Sequence, residues 1–129
     1  MTKFVIDSYA WIEYLAGTKS GLSAKKIIET NDNVILTTSI VLAEVVSKIK
    51  REGLDAERAY QIISSLSKVL AIGTTNAREA GILHAETKRK IKDFGLADAF
   101  TLAVAREQKA RVLTGDEHFR GFKEAMFMK

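Results

Sequence analysis

Cysteine and proline are both absent from this chain of 129 residues. The first absence excludes disulfides, thiolate metal sites and cysteine nucleophiles. The second leaves every break between elements to glycine and polar turns. Histidine occurs twice, at His84 and His118, so no three-histidine zinc site can form. Any metal would be held mainly by carboxylate oxygen, the chemistry of magnesium and manganese. No apolar run approaches the roughly 18 residues of a membrane span, and no signal-peptide pattern opens the chain. The expected location is the cytoplasm, with no membrane partner.

What is present fits a single globular domain over residues 1–129, at 47% hydrophobic and 28% charged residues. The net charge of +4 is compatible with a polyanionic partner without demanding one.

The chain opens on a short apolar run, Lys3-Phe4-Val5-Ile6, that stops at Asp7 and turns at once into a helix. Such a carboxylate lies at the carboxyl edge of a sheet, where ligand sites collect in open α/β folds. The helix is expected over Ser8 to Ala16, with Ser8 as its N-cap and Gly17 as its stop. A second helix follows over about 20–30, then a strand at Val34-Ile35-Leu36-Thr37. Thr38 or Ser39 caps the next helix, which runs to Glu52 with Ile40, Val41, Val45, Val46 and Ile49 facing the core. Asp55 opens another, carrying Tyr60, Ile62, Ile63 and Leu66, and Val69 to Ile72 is the third strand. A long helix is expected from Thr75 to about Ile91, with Ala77, Ala80, Gly81, Leu83 and His84 inward. After a break at 92–95 comes a helix over 96–108, a strand at Arg111-Val112-Leu113-Thr114, and a fifth, edge strand at Ala125 to Met128. Strands alternating with helices predict a three-layer α/β/α sandwich on a mainly parallel five-stranded sheet.

In that arrangement four acids far apart in sequence can converge on one edge. Asp7 ends the first strand, Glu44 lies on the second turn of a helix, Asp98 on the first turn of another, and Asp116 just past the fourth strand. Each also has a local reading: Asp7 as a cap, Asp98 as a charge answering a helix dipole. Glu44 interrupts Ile40-Val41-Leu42-Ala43-Glu44-Val45-Val46, and Asp98 is flanked by small and apolar residues. Two carboxylates about 4 Å apart repel by roughly 4 kcal/mol at an effective dielectric near 20. A cluster of them shares protons or takes a divalent cation.

These residues carry a resemblance. The segments Val5-Ile6-Asp7-Ser8-Tyr9-Ala10-Trp11-Ile12, Thr38-Ser39-Ile40-Val41-Leu42-Ala43-Glu44-Val45, Leu96-Ala97-Asp98-Ala99 and Ala105-Arg106 through Val112-Leu113-Thr114-Gly115-Asp116-Glu117-His118-Phe119 stand in one order over nearly the whole chain. In this the chain resembles PIN-domain proteins, and more narrowly the VapC toxins of VapBC toxin–antitoxin pairs. The resemblance implies a ribonuclease dependent on Mg2+ or Mn2+, with Asp7, Glu44, Asp98 and Asp116 as catalytic and metal-binding acids. It also implies that Ser8 and Thr114 support them, that the protein forms a homodimer, and that a VapB-like antitoxin silences it. PIN domains also serve in RNA processing and decay, and a non-catalytic RNA-binding role is a further alternative. Arg106 and His118 read as a surface salt bridge and a loop residue rather than active-site helpers.

Two basic runs could form a phosphate-binding rim: Lys48, Lys50 and Arg51 at the end of the Glu44 helix, and Lys88, Arg89, Lys90 and Lys92 before the Asp98 helix. A solvated helix end explains them equally well. Trp11, Tyr14 and Leu15, at helical spacing, read as core or dimer contact rather than a base-stacking platform. A signalling receiver domain also gathers acids at a sheet edge. It would need a phosphorylatable Asp after the third strand, where Ala71-Ile72-Gly73-Thr74-Thr75 offers none.

Overall fold

The computed structural model describes residues 1–128. Five strands, β1 (Lys3–Ile6), β2 (Val34–Thr38), β3 (Lys68–Leu70), β4 (Arg111–Thr114) and β5 (Ala125–Phe127), form one sheet in the order β3-β2-β1-β4-β5. All four pairings are parallel. Central β1 aligns Phe4 with Ile35 and Val5 with Leu36 on one side, and Val5 with Val112 and Ile6 with Leu113 on the other.

Alternation along the strands divides the core into two layers. Phe4, Ile6, Ile35 and Leu113 face α1 (Ser8–Ala16), α2 (Lys19–Ile28), α3 (Ser39–Arg51) and α4 (Ala56–Leu66). Val5, Leu36 and Val112 face α5 (Thr74–Lys88) and α6 (Leu96–Gln108). The result is the expected three-layer α/β/α sandwich with a five-stranded parallel sheet.

The bounds expected for β1, α1, α6 and β4 match the observed ones. Several details differ. The N-cap of α1 is Asp7, which accepts from Ala10 N at 2.8 Å, so Ser8 is the first helical residue instead of the cap. At the other end Gly17 takes φ 68°, the left-handed conformation that closes helices. Strand β3 lies at 68–70 rather than 69–72, because its pairing with β2 covers three residues opposite Leu36, Thr37 and Thr38. Helix α5 ends at Lys88, and Ala77 and Gly81, expected inward, are exposed; Ala80 is its buried residue.

Strand order reverses direction at β1: β2 and β3 extend to one side of it, β4 and β5 to the other. A crevice forms at such a switch point outside the carboxyl ends of the strands. Asp7 N donates to Leu113 O at 3.2 Å, continuing the β1–β4 ladder one residue past the strand into that crevice.

Candidate active site

Asp7 leaves β1 at the switch point and is 3% exposed. It is a helix cap and a buried acid at once. Its carboxylate accepts from Ala10 N and from the Thr114 hydroxyl. Burial, followed by the nearby Asp98 and Asp116, outweighs those bonds and raises its pKa from 3.8 to about 7. The Thr114 hydroxyl also accepts from Asp116 N at 2.9 Å, so one buried threonine ties the acids after β1 and β4 together.

Asp116 caps the single-turn 3-10 helix Glu117–Phe119, accepting from His118 N at 2.9 Å. That tight turn swings the His118 ring back over its own cap. His118 Nδ1 lies 3.2 Å from Asp116 Oδ1 and 3.6 Å from Asp98 Oδ2, without hydrogen-bond alignment to either. On the facing helix Asp98 Oδ2 accepts from Gly95 N at 2.9 Å, which fixes the start of α6 and the position of the carboxylate together. Burial raises the pKa of Asp98, with Asp116 adding to the rise and Gly95 N and His118 opposing it.

Asp98, Asp116 and His118 each offer one donor atom, and the three atoms lie within 4.8 Å of one another. Asp7 borders this cluster on its buried side. Glu44 borders it on the exposed side, and burial of its carboxylate and then Asp98 raise its pKa, opposed by the Ser8 hydroxyl that donates to it. The parallel topology thus brings the four acids to one edge, where the charges of Asp98 and Asp116 act on Asp7, that of Asp98 on Glu44, and that of Asp116 on Asp98. His118, expected as a loop residue, is a member of the cluster. The remaining contact of its ring nitrogen is decided by the geometry of a three-residue turn, which leaves no periodic trace in sequence.

One other expectation is corrected. Glu44 does not interrupt a buried face: Val41, Val45 and Ile49 are the buried stripe of α3, while Ala43, Glu44, Ser47 and Lys48 share its exposed side. Asp98, flanked by small and apolar residues in the sequence, closes its own helix start through Gly95 N. Arg106, by contrast, pairs with Glu124 at 3.1 Å on the surface, as expected.

An open groove of about 430 Å³ runs from the cluster across α1 and α3, lined by Ser8, Tyr9, Ile12, Glu13, Glu44, Lys48, Arg51 and Asp116. Lys48 and Arg51 thus share a surface with the acids, and Lys50 does not line it. The other basic run lies elsewhere. Lys88 Nζ donates to the Lys92 carbonyl at 2.6 Å, and Lys90 lines a separate groove with Arg120 and Phe122. Arg89 is exposed and lines neither groove. Trp11 is buried, its Nε1 donating to Thr37 Oγ1 at 3.1 Å.

The donor set fits a divalent cation. Two carboxylates and an imidazole nitrogen converge, and that nitrogen is buried without a hydrogen bond. An anionic cluster of this kind forms a potential metal-binding site in a nuclease-like centre.

Comparison with known proteins agrees with this architecture. No curated protein matches the chain. Among solved structures, a toxin–antitoxin complex from Klebsiella pneumoniae superposes with a TM-score of 0.74 at 21% identity, covering 95% of this chain and 94% of that one. The sarcin–ricin-loop-cleaving toxin VapC20 of Mycobacterium tuberculosis gives 0.72 at 21% identity over 94% and 97%. DNA-bound VapBC from Salmonella typhimurium gives 0.71 at 21% identity over 98% and 97%. At such identities these likenesses speak to the fold. The PIN domain pattern itself matches residues 4–125, nearly the whole chain, and the protein belongs to the PIN domain family.

Proposed function

We propose that the protein is a metal-dependent endoribonuclease and the toxin of a toxin–antitoxin pair. The observation that carries the reading is the convergence of Asp7, Glu44, Asp98 and Asp116, with His118, at the switch point of the sheet. Asp98, Asp116 and His118 would hold Mg2+ or Mn2+, flanked by Asp7 and Glu44, and the bound ion would supply Lewis acidity toward a phosphodiester oxygen and toward water. The nitrogen donor favours Mn2+ over Mg2+, which prefers oxygen ligands alone.

The chain's own residues have separable tasks. Asp7, locked by Ala10 N and Thr114, sets a carboxyl beneath the site whose charged form a bound cation would favour. Glu44 is at the groove mouth with a raised pKa, suited to accept a proton on its carboxylate from an entering water. Lys48 and Arg51 face the same groove and can neutralise substrate phosphates. The family membership and the toxin–antitoxin structures of the same fold support an antitoxin partner, and a homodimer is part of the reading. Among the described residues no helix is long and apolar enough to cross a membrane.

The purified protein is expected to cleave single-stranded RNA with Mn2+ and to be inactive in excess EDTA. Robust cleavage in EDTA would overturn the metal-dependent reading. A second expectation concerns the rim. Lys48→Ala combined with Arg51→Ala should weaken RNA binding and flatten its logarithmic salt dependence by roughly 0.7 per lost phosphate contact. Replacing Lys88, Arg89, Lys90 and Lys92 should change that slope less; the reverse ranking would move the RNA path to the other groove.

A further inference from the structure

The groove beside the acids contains an aromatic side chain that neither the core nor the metal cluster accounts for. Tyr9, on the first turn of α1, is 44% exposed. The neighbouring aromatics of that helix are committed: Trp11 is buried and bonded to Thr37, and Tyr14 donates to Glu29 at 2.7 Å and packs edge-on against Trp11. Tyr60 is equally exposed, at 45%, but is on α4 and lines no part of the groove. The Tyr9 hydroxyl makes no hydrogen bond among the described residues.

The ring is nonetheless seated. Gly115, the residue between Thr114 and Asp116, lets its Cδ1 and Cε1 edge approach the backbone, and a Cβ at 115 would collide with that edge and with Met128. The absence of a side chain at 115 thus lets the edge of this exposed ring lie against the backbone next to Asp116. Lys48 and Arg51 line the same groove. An aromatic face beside two cations is the combination that binds single-stranded nucleic acid: the ring stacks on a base and the cations meet the backbone. A duplex keeps its bases stacked inside and cannot offer one.

We propose that Tyr9, seated on Gly115, is a stacking platform for one unpaired base of the RNA, positioning the adjoining phosphodiester at the Asp98–Asp116–His118 cluster. This rests on the nuclease reading and adds to it a positioning and specificity residue, Tyr9, acting through the base next to the phosphodiester.

The test reads binding apart from cleavage. Single-stranded oligoribonucleotides carrying 2-aminopurine at each position in turn are titrated into the full chain with Asp7→Asn, in EDTA. Stacking quenches the probe. Quenching is expected at one position, retained in the added variant Tyr9→Phe and lost in Tyr9→Ala, whose affinity falls roughly tenfold or more. The matched duplex should bind weakly and be indifferent to Tyr9. Circular dichroism of Tyr9→Ala excludes loss of fold as the cause. Equal affinity and quenching for Tyr9→Ala and its parent would overturn the platform, as would equal binding of the duplex. If Tyr9-dependent quenching is present but the unmodified protein cleaves nothing with Mn2+, the nuclease reading fails while the platform stands.

Discussion

Asp7→Asn is expected to abolish RNA cleavage and to make the metal-free protein more stable. Loss of activity should be roughly a hundredfold or more, because the substitution removes the carboxylate that borders the Asp98–Asp116–His118 donor cluster on its buried side. The stability gain follows from the raised pKa of the native carboxyl, about 7 against 3.8. Between those values the native state binds more protons at Asp7 than the unfolded state does, so stability falls as pH rises. Above about pH 7 both states are ionised and the full cost is present. At about 1.4 kcal/mol per pH unit its upper bound is roughly 4 kcal/mol. Asparagine is isosteric, can accept from Ala10 N, and has no charge to desolvate. The melting temperatures of the two metal-free proteins should coincide near pH 4, diverge in favour of Asp7→Asn up to pH 7, and then run parallel. Saturating Mn2+ should close the gap by stabilising the unsubstituted protein more. Cleavage by Asp7→Asn at the unsubstituted rate would remove Asp7 from the site, and parallel melting curves from pH 4 to 8 would show that its charge costs nothing.

The same residue shows what sequence alone could and could not establish. That an acid ends the first strand was plain from Val5-Ile6-Asp7, and parallel topology carried Glu44, Asp98 and Asp116 to the same edge. Capping and a place at the sheet edge do not compete at Asp7 and Asp98: Asp7 accepts from Ala10 N and Asp98 from Gly95 N, and those same bonds hold both carboxylates at the edge where the acids gather. Burial was harder to infer than position. Glu44 sits within a run of apolar letters, yet α3 buries only the stripe Val41, Val45 and Ile49 deeply, and the acid is on the open side. Small residues misled in α5, where Ala77 and Gly81 look apolar but cost little to leave in water. His118 was hidden for a different reason. Its ring reaches the cluster through one 3-10 turn, and a turn that short has no hydrophobic period to read.

That turn also joins the site to the core, and Phe119→Ala should break the connection. Phe119 is fully buried and ends the 3-10 helix that holds His118. Its ring packs 6.0 Å from Phe94 and 6.5 Å from Phe122, and Phe94 is itself 5.8 Å from Phe122. Phe94 immediately precedes Gly95, whose N–H fixes Asp98. Within the aromatic trio, Phe119 and Phe94 therefore support the two halves of the donor cluster, the turn carrying Asp116 and His118 and the start of α6 carrying Asp98. Removing a buried phenyl ring typically costs about 3–5 kcal/mol, part of it from the cavity left behind. The destabilisation in EDTA should be of that size. The rise in melting temperature on adding Mn2+ should also shrink, because Asp116 and His118 lose the packing that orients them and metal affinity depends on such support. Phe122→Ala, at a half-buried ring that adjoins neither donor, supplies the comparison: a smaller loss of stability and a metal-induced rise near that of the unsubstituted protein. If Phe119→Ala lowers stability but leaves the metal-induced rise intact, the trio is core alone, and the backbone bonds of Asp116 and Gly95 suffice to set the donors.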